Sequence, residues 1–355
     1  MNRMKSAFLL LALMAFSIGN ASAQYVTTHA KVVMPGQQKG IFYALPRTVI
    51  QLDFIIEETE LLEGPYSEYV HLVGADDYIV EDGMEYRIVD VLMTTYAEAD
   101  PNATFFVDMN AKKGESVQIN LTPKGILQGV GMAPQPVMES PKQNIALKQS
   151  TDQDRAFKYQ YGSSKGKSRE QMAYAAADMI NKIREEKVKL LTGFQETAFI
   201  LDTYRQMYAD LDQMENDYLS LFIGKRVVNT TVKTVYVTPS KEVTSQTIAK
   251  FSKDNGFSVG VAGQGDVITL QALSLKTTGS INEPSQSAVE TISHENKLFY
   301  RIPEIANIKV IMGSQVLVEQ RETIAQLGVF MLAPLGKTKI ALDPNTGQII
   351  GMEME

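Results

Sequence analysis

The sequence predicts an α+β protein in which two strand-rich segments flank a single helical hairpin. Three observations carry this prediction. Alternating apolar residues indicate strands within residues 41–130, and runs rich in Val, Thr and Tyr indicate further strands within residues 225–355. The only long helical periodicity lies between them, in residues 168–222. We therefore expect two sandwich-like β modules with an inserted antiparallel helical hairpin.

Changes in composition along the chain predict five segments. The 355 residues include no cysteine, and a chain of this length can bury sizeable cores without disulfides. The segments are a signal peptide at residues 1–23, an N-terminal β-rich domain at 24–130, a Pro- and Ser-containing linker or long loop at 131–167, a helical hairpin at 168–224, and a C-terminal β-rich domain at 225–355.

The first 23 residues have the three-part pattern of a secretory signal. Arg3 and Lys5 precede an apolar run over residues 7–18, and Ala21-Ser22-Ala23 provides a small-residue cleavage site. The run is shorter than the ~20 residues that a membrane-spanning helix needs. We expect the signal to be cleaved, with no transmembrane segment afterwards, and the product to reach the periplasm, the outer membrane surface or the extracellular space.

In the N-terminal β-rich segment, Ile50, Leu52, Phe54 and Ile56 alternate with mostly polar residues, which predicts a strand with one face in a core. Gly64-Pro65 is expected to open a short helix. The pattern predicts further strands over residues 86–93, 104–109 and 116–121.

Two apolar stripes at helical spacing predict the hairpin. Ser168 and Gln171 form a capping box at its start, and Gly193 and Gly224 are placed to end its two helices. Such stripes can bind a partner, but two matching stripes more simply bury each other. We therefore interpret them as the packing faces of the hairpin.

A short motif occurs twice, once in each β-rich segment. Residues 42–46 read Phe-Tyr-Ala-Leu-Pro, and residues 299–303 read Phe-Tyr-Arg-Ile-Pro. The repeat leaves two explanations open, namely a duplicated β unit or a coincidental similarity at the start of two strands. Near the C-terminus, residues 343–347 predict a turn between the last two strands.

The charge of the chain argues against nucleic acid as a partner. The formal net charge is −7, and removing Arg3 and Lys5 with the signal brings it to −9. One local stretch, residues 155–169, carries basic residues and no acidic ones, with aromatic residues between them. It is a candidate surface for an anionic glycan, a lipid head group or an acidic protein, although a solvated loop is the simpler interpretation. Its basic residues are Arg155, Lys158, Lys165, Lys167 and Arg169.

No pattern in the sequence assigns a catalytic, metal-binding or cofactor-binding residue. Residues 162–168 resemble a phosphate-binding loop but lack its first glycine and its preceding apolar strand. The three histidines, His29, His71 and His294, are isolated, and Asp343 and Asn345 read as a turn better than as a calcium site. No histidine-containing signature accompanies any serine, and the lack of cysteine excludes thiol catalysis.

Six segments spread over the chain together resemble an exported family of Bacteroidetes catalogued as domain of unknown function 4831. The resemblance implies an envelope or secreted protein of a Gram-negative bacterium, and it implies no activity and no site residues. The segments are 43–48, 64–69, 190–193, 218–222, 300–307 and 342–347.

From these features we expect a non-enzymatic binding or assembly component of the cell envelope, with envelope proteins or glycan as partners and no cofactor. Two alternatives stay open. One is an exported hydrolase of glycan or peptide, with carboxylates brought together from distant positions. The other is an adhesin-like structural protein of the cell surface.

Overall fold

The computed structural model describes residues 25–33, 39–109, 118–134, 145–159, 166–192, 201–282, 286–336 and 338–354. These residues form a mixed fold with 51% strand, 23% helix and several antiparallel sheets, which confirms the predicted mixed class. The predicted signal peptide at residues 1–23, the predicted helix end Gly193 and the basic residue Lys165 lie outside the described residues.

The strands are β1 (Val26–His29), β2 (Gly40–Leu62), β3 (Gly83–Asp108), β4 (Ile119–Leu121), β5 (Leu127–Val130), β6 (Lys225–Val237), β7 (Val243–Ser252), β8 (Gly256–Val259), β9 (Asp266–Ser274), β10 (His294–Glu295), β11 (Lys297–Met312), β12 (Gln315–Pro334), β13 (Thr338–Leu342) and β14 (Ile349–Met354). The α-helices are α1 (Asp152–Arg155), α2 (Arg169–Thr192), α3 (Leu201–Ile223) and α4 (Gln286–Thr291). Two 3₁₀-helices span Ala30–Val32 and Ser67–Leu72, and the second follows the predicted Gly64-Pro65 start.

Strand β2 shows why this sequence forms sheets. Its residues Ile50, Leu52, Phe54 and Ile56 are all buried, as the alternation predicts. Strand β3 is one continuous strand of 26 residues, although the sequence predicts separate runs at 86–93 and 104–109. The polar residues between those runs are accommodated because β3 bulges there and resumes its pairing with β2.

The strands form three antiparallel sheets. The first sheet has the order β10-β1-β3-β2-β6, the second has β12-β11-β9-β7-β8, and the third has β14-β13-β5-β4. Strand β2 pairs with β6 in the first sheet, and β5 pairs with β13 in the third. The predicted β-rich segments 24–130 and 225–355 therefore contribute strands to the same sheets.

Three apolar clusters hold the described elements together. The first cluster contains buried residues of both the first and the second sheet, among them Phe54 and Ile308. The second surrounds Phe105 and includes residues of the third sheet, such as Ile340. The third joins the two long helices to the 3₁₀-helix at 67–72 and includes Phe222.

The repeated Phe-Tyr-x-(Leu/Ile)-Pro motif lies near the start of two long hairpins, β2–β3 and β11–β12. In the first hairpin the register shifts between Ala44 and Pro46, so that β3 residues 100–103 are passed over. In the second, the register shifts between Ile302 and Glu304, so that β12 residues 325–328 are passed over. The two hairpins thus share the motif, its position and a four-residue bulge on the second strand.

Each of these hairpins reaches into the bulge of the other. Arg301 of β11 forms an ion pair with Asp100 in the β3 bulge, with Nη2 and Oδ2 2.7 Å apart. Thr48 of β2 accepts a hydrogen bond from the backbone N–H of Ala325, and its own N–H donates to Gln326 at 2.7 Å. The hairpins are therefore interlocked by polar contacts as well as by their apolar faces.

Helices α2 and α3 form the predicted hairpin. The capping box is present, since the Gln171 N–H donates to the Ser168 hydroxyl at 3.2 Å and the Ser168 N–H donates to the Gln171 side chain at 3.0 Å. Gly224 ends α3 with a φ of +84°, a conformation that favours glycine. The apolar stripes of the two helices pack against each other in the third cluster.

Glu304 fastens the loop after β9 to strand β11. Its carboxylate is buried and accepts four hydrogen bonds from Thr277 and Thr278, one from each N–H and one from each hydroxyl, at 2.6–3.1 Å. Burial alone would raise the pKa of this carboxyl, but these hydrogen bonds outweigh burial and lower the pKa to about 2.

We expect this carboxyl to make stability depend on pH in the acid range. Because the folded-state pKa lies below the ordinary value of 4.5, the ionised form stabilises the fold above pH 4.5. That contribution, on the order of 3 kcal/mol, is lost as the pH falls from 4.5 towards 2. Urea denaturation between pH 6 and pH 2.5 measures it. Glu304→Gln should be less stable at pH 6 and lose less stability on acidification, and an unchanged pH slope in this variant would contradict the assignment.

Candidate functional site

The predicted basic stretch is largely neutralised within the molecule. Arg155 Nε lies 2.7 Å from the Glu60 carboxylate on β2, and Lys158 Nζ lies 3.2 Å from Asp217 on α3. Arg169 forms a longer ion pair with Glu68, at 3.8 Å, and donates to the Pro65 carbonyl. Lys167 is exposed. The described part of this stretch therefore presents less positive charge than its sequence predicts, because its acidic partners come from distant elements.

The segment 145–159 also lies along the edge of the first sheet. The Thr230 N–H on β6 donates to the Lys148 carbonyl at 2.8 Å, and the Asn229 side chain accepts from Ser150. Lys225 donates to backbone carbonyls of the segment, and burial lowers the pKa of its ammonium group. These contacts indicate a structural role for the segment, since it covers part of the β6 edge.

The outer half of the α2–α3 hairpin is held by ion pairs between the helices. Lys187 Nζ lies 2.7 Å from both Asp212 and Glu215, and Arg184 Nε lies 2.6 Å from Glu215. Burial lowers the pKa of Lys187, but its hydrogen bonds to the two carboxylates outweigh burial, so the net pKa is raised. Lys187 therefore stays charged and links the helices.

The same half of the hairpin exposes large apolar side chains. Val188 and Leu191 on α2 and Leu201 on α3 are all exposed, on either side of residues 193–200. Exposed apolar residues that occur singly are normal, but three close to one end of a hairpin form a candidate contact surface.

A second candidate surface is the face of the first sheet that points away from the core. Because Ile50 and Leu52 point into the core, Gln51 and Asp53 point to the opposite face. Gln51 pairs with Tyr236 on β6 and with Thr94 on β3, so these residues share that face. We call the set Gln51, Asp53, Thr94, Tyr96, Thr234 and Tyr236 the tyrosine face.

The two tyrosines of this face contact each other across β2. Their ring centroids are 6.5 Å apart and their planes meet at 84°. Tyr236 is 60% exposed, so much of its ring is accessible to solvent. Burial, followed by the neighbouring Glu98 and Tyr236, raises the pKa of Tyr96, so its phenol keeps its proton.

Asp53 lies beside the tyrosines and is oriented by its neighbours. Its Oδ1 accepts from the Thr234 hydroxyl at 2.6 Å, and its Oδ2 accepts from the Gln51 amide at 2.7 Å. Towards one end of the face Arg47 pairs with Glu98, and towards the other end Arg87 pairs with Glu57, both at 3.1 Å. The face therefore combines aromatic rings and the apolar side chains of Val49 and Ile55 with hydrogen-bonding groups held in fixed positions.

The isolated polar residues singled out in the sequence have structural surroundings. His29 is buried, accepts from the Lys31 N–H at Nδ1 and contacts the Asn102 carbonyl through Nε2. Asp343 accepts from the Asn345 N–H and the Thr346 hydroxyl within the predicted turn. Among the described residues no group of three His, Cys, Asp or Glu side chains is placed to hold a metal ion.

Sequence reasoning missed the tyrosine face. Tyr96 and Tyr236 lie 140 positions apart, and only the register of β3, β2 and β6 brings them together. The one signal in the sequence is the set of polar residues that alternate with the buried positions of β2.

Comparisons with known proteins identify one family. The model of a family described as Domain of unknown function (DUF4831) matches residues 39–350. No curated protein and no solved structure matches the chain. In the part of the chain that the structure describes, no helix has both the length and the apolar character needed to cross a bilayer.

Proposed function

We propose that this chain, which belongs to the DUF4831 family, is a non-enzymatic binding or assembly component of the bacterial cell envelope. The observation that carries the proposal is the α2–α3 hairpin. Its base packs into the third cluster, and its outer half exposes Val188, Leu191 and Leu201. An apolar surface held in place by ion pairs suits contact with another protein.

The attachment of the hairpin supports this role. At the base, the Tyr66 N–H donates to the Leu221 carbonyl at 2.8 Å, and the Ile79 N–H donates to the Ile223 carbonyl at 2.9 Å. These hydrogen bonds fix the end of α3 to the loops that follow β2. A partner bound at the outer half of the hairpin would therefore be held in a defined position relative to the sheets.

The proposal includes a location and an architecture. Arg3, Lys5 and the apolar run at 7–18 support export by a cleaved signal peptide, with a site of action in the periplasm, at the outer membrane or outside the cell. A sandwich-like arrangement of the first and second sheets is supported by the cluster they share. On this proposal, the sheets form the scaffold that positions the α2–α3 hairpin for binding.

We expect the triple variant Val188→Ser, Leu191→Ser and Leu201→Ser to lose partner binding. Removing three exposed apolar side chains from a protein contact should lower affinity about tenfold or more, because apolar anchors supply much of the binding energy. Crosslinking in the native bacterium followed by mass spectrometry measures the recovery of partners. Thermal unfolding should change little, since all three side chains are exposed.

The matched control is Val259→Ser with Val261→Ser, two exposed valines at and just beyond the end of β8 and far from the hairpin in the sequence. This variant should recover the same envelope proteins as the wild type. Equal recovery by the hairpin variant and the wild type would overturn the proposal, and so would equal losses in the hairpin and control variants.

A further inference from the structure

We propose that the tyrosine face binds a neutral glycan built of pyranose rings. The inference rests on the proposed binding role in the envelope and adds a second ligand to it. It depends on different residues from the hairpin contact, because the tyrosine face lies on β2, β3 and β6. The hairpin contact and the glycan site can therefore be tested separately.

The aromatic pair supplies the apolar part of such a site. A pyranose ring carries a face of C–H groups that packs on an aromatic ring, while its hydroxyls remain available for hydrogen bonds. Tyr236 offers an exposed ring, and Tyr96 stands at 84° to it, so that the two rings form a corner. One sugar unit can lie against Tyr236 while its edge contacts Tyr96.

The polar neighbours supply fixed partners for sugar hydroxyls. Both Asp53 oxygens are already oriented by protein donors, and an ionised carboxylate has about four acceptor positions in all. The residue is 9% exposed, so its position is set by the sheet and only its outer edge can meet a ligand. Because these groups are held before binding, little conformational entropy is lost when a hydroxyl donates to them.

The charge of the face favours a neutral ligand over an anionic one. The two arginines on this face are each paired with a glutamate, Arg47 with Glu98 and Arg87 with Glu57. Within the described residues, Asp53 and Asp90 form no ion pair, so the face has an excess of negative charge. An anionic glycan would be repelled, whereas neutral hydroxyls donate to carboxylates.

The length of the face suits an oligosaccharide. The residues from Arg47 to Glu57 span ten steps along β2, which corresponds to roughly 33 Å at the rise of an antiparallel strand. The tyrosine pair lies within this strip, between the two arginine–glutamate pairs. Several sugar units of an extended chain can therefore contact the face at once.

Isothermal titration calorimetry of the mature chain tests the proposal. The probes are a panel of neutral glucose, mannose and galactose hexasaccharides, with a polygalacturonate oligosaccharide as the anionic arm and a lysine-rich peptide as the basic arm. We expect binding of at least one neutral hexasaccharide and no binding of the anionic one. Tyr236→Ala and Asp53→Asn should each weaken that binding at least about tenfold.

Tyr174→Ala is the matched control, because Tyr174 is a similarly exposed tyrosine on α2. It should bind like the wild type, and thermal unfolding of all three variants establishes that they fold. The proposal is overturned if no neutral probe binds, if Tyr236→Ala binds as well as Tyr174→Ala, or if the anionic or the basic probe binds in preference. Loss of glycan binding with partner binding at the hairpin intact would leave the proposed function standing.

Discussion

Replacing Asp100 with asparagine should destabilise the protein by about 3–5 kcal/mol. Asp100 and Arg301 form an ion pair whose side chains are only 7% and 5% exposed. Arg301 also donates to the Pro46 carbonyl and lies 4.8 Å from the centre of the Phe330 ring. The substitution would leave a buried guanidinium without its counter-charge, and urea denaturation at neutral pH measures the loss.

Two further variants test whether the loss comes from the buried charge of Arg301. Glu98→Gln removes one partner of the half-exposed Arg47 pair and should cost no more than about 1 kcal/mol. The double variant Asp100→Leu with Arg301→Met removes both buried charges and should recover much of the stability that Asp100→Asn loses. If Asp100→Asn costs no more than Glu98→Gln, the ion pair does not hold the two hairpins together.

Replacing Phe105 with alanine should also cost about 3–5 kcal/mol. Phe105 is fully buried in the second cluster, and its ring stacks on Phe299 at a centroid distance of 4.5 Å and on Tyr43 at 5.5 Å. The hydroxyl of Tyr43 accepts a hydrogen bond from the Phe299 N–H at 3.0 Å, so these rings are fixed in position. The surrounding residues can fill the resulting cavity only in part.

Phe42→Ala is the control, because Phe42 is about half exposed. It lies near the start of β2 and pairs with Phe106, the neighbour of Phe105. Its loss should cost about 1 kcal/mol or less in the same urea denaturation experiment. Similar losses for the two phenylalanine variants would contradict the packing described for Phe105.

The local elements of this fold could be predicted because their signals lie within a few residues of one another. Ile50 and Leu52, two residues apart, indicate the buried face of β2. Ser168 and Gln171, three residues apart, indicate the start of α2. The two helical stripes predict that α2 and α3 pack against each other, because each apolar stripe needs a matching partner.

The pairings between distant segments could not be predicted in this way. Nothing near β2 in the sequence indicates that β6 will be its neighbour, and the tyrosine face depends on that neighbour. The ion pairs of the basic stretch could not be predicted for the same reason, since Glu60 and Asp217 approach it only in the folded chain. Charge counted along the sequence therefore overstated the charge at the surface.

The repeated motif is an intermediate case. The sequence shows Phe-Tyr-x-(Leu/Ile)-Pro twice, and the structure adds that a register shift lies at each copy. A five-residue repeat carries no information on the four-residue bulges, because these form on the partner strands far from the motif. Arg301 belongs to the second copy of the motif. It forms an ion pair with Asp100, which lies in the β3 bulge opposite the first copy.

The interlocked hairpins also set the order in which the molecule can fold. The contact between Tyr43 and Phe299 closes a separation of 256 residues, and the ion pair between Asp100 and Arg301 closes one of 201. Contacts of such long range slow folding, since a large loop entropy must be lost before they form. The first hairpin can therefore reach its final packing only after β11, with Phe299 and Arg301, has been synthesised.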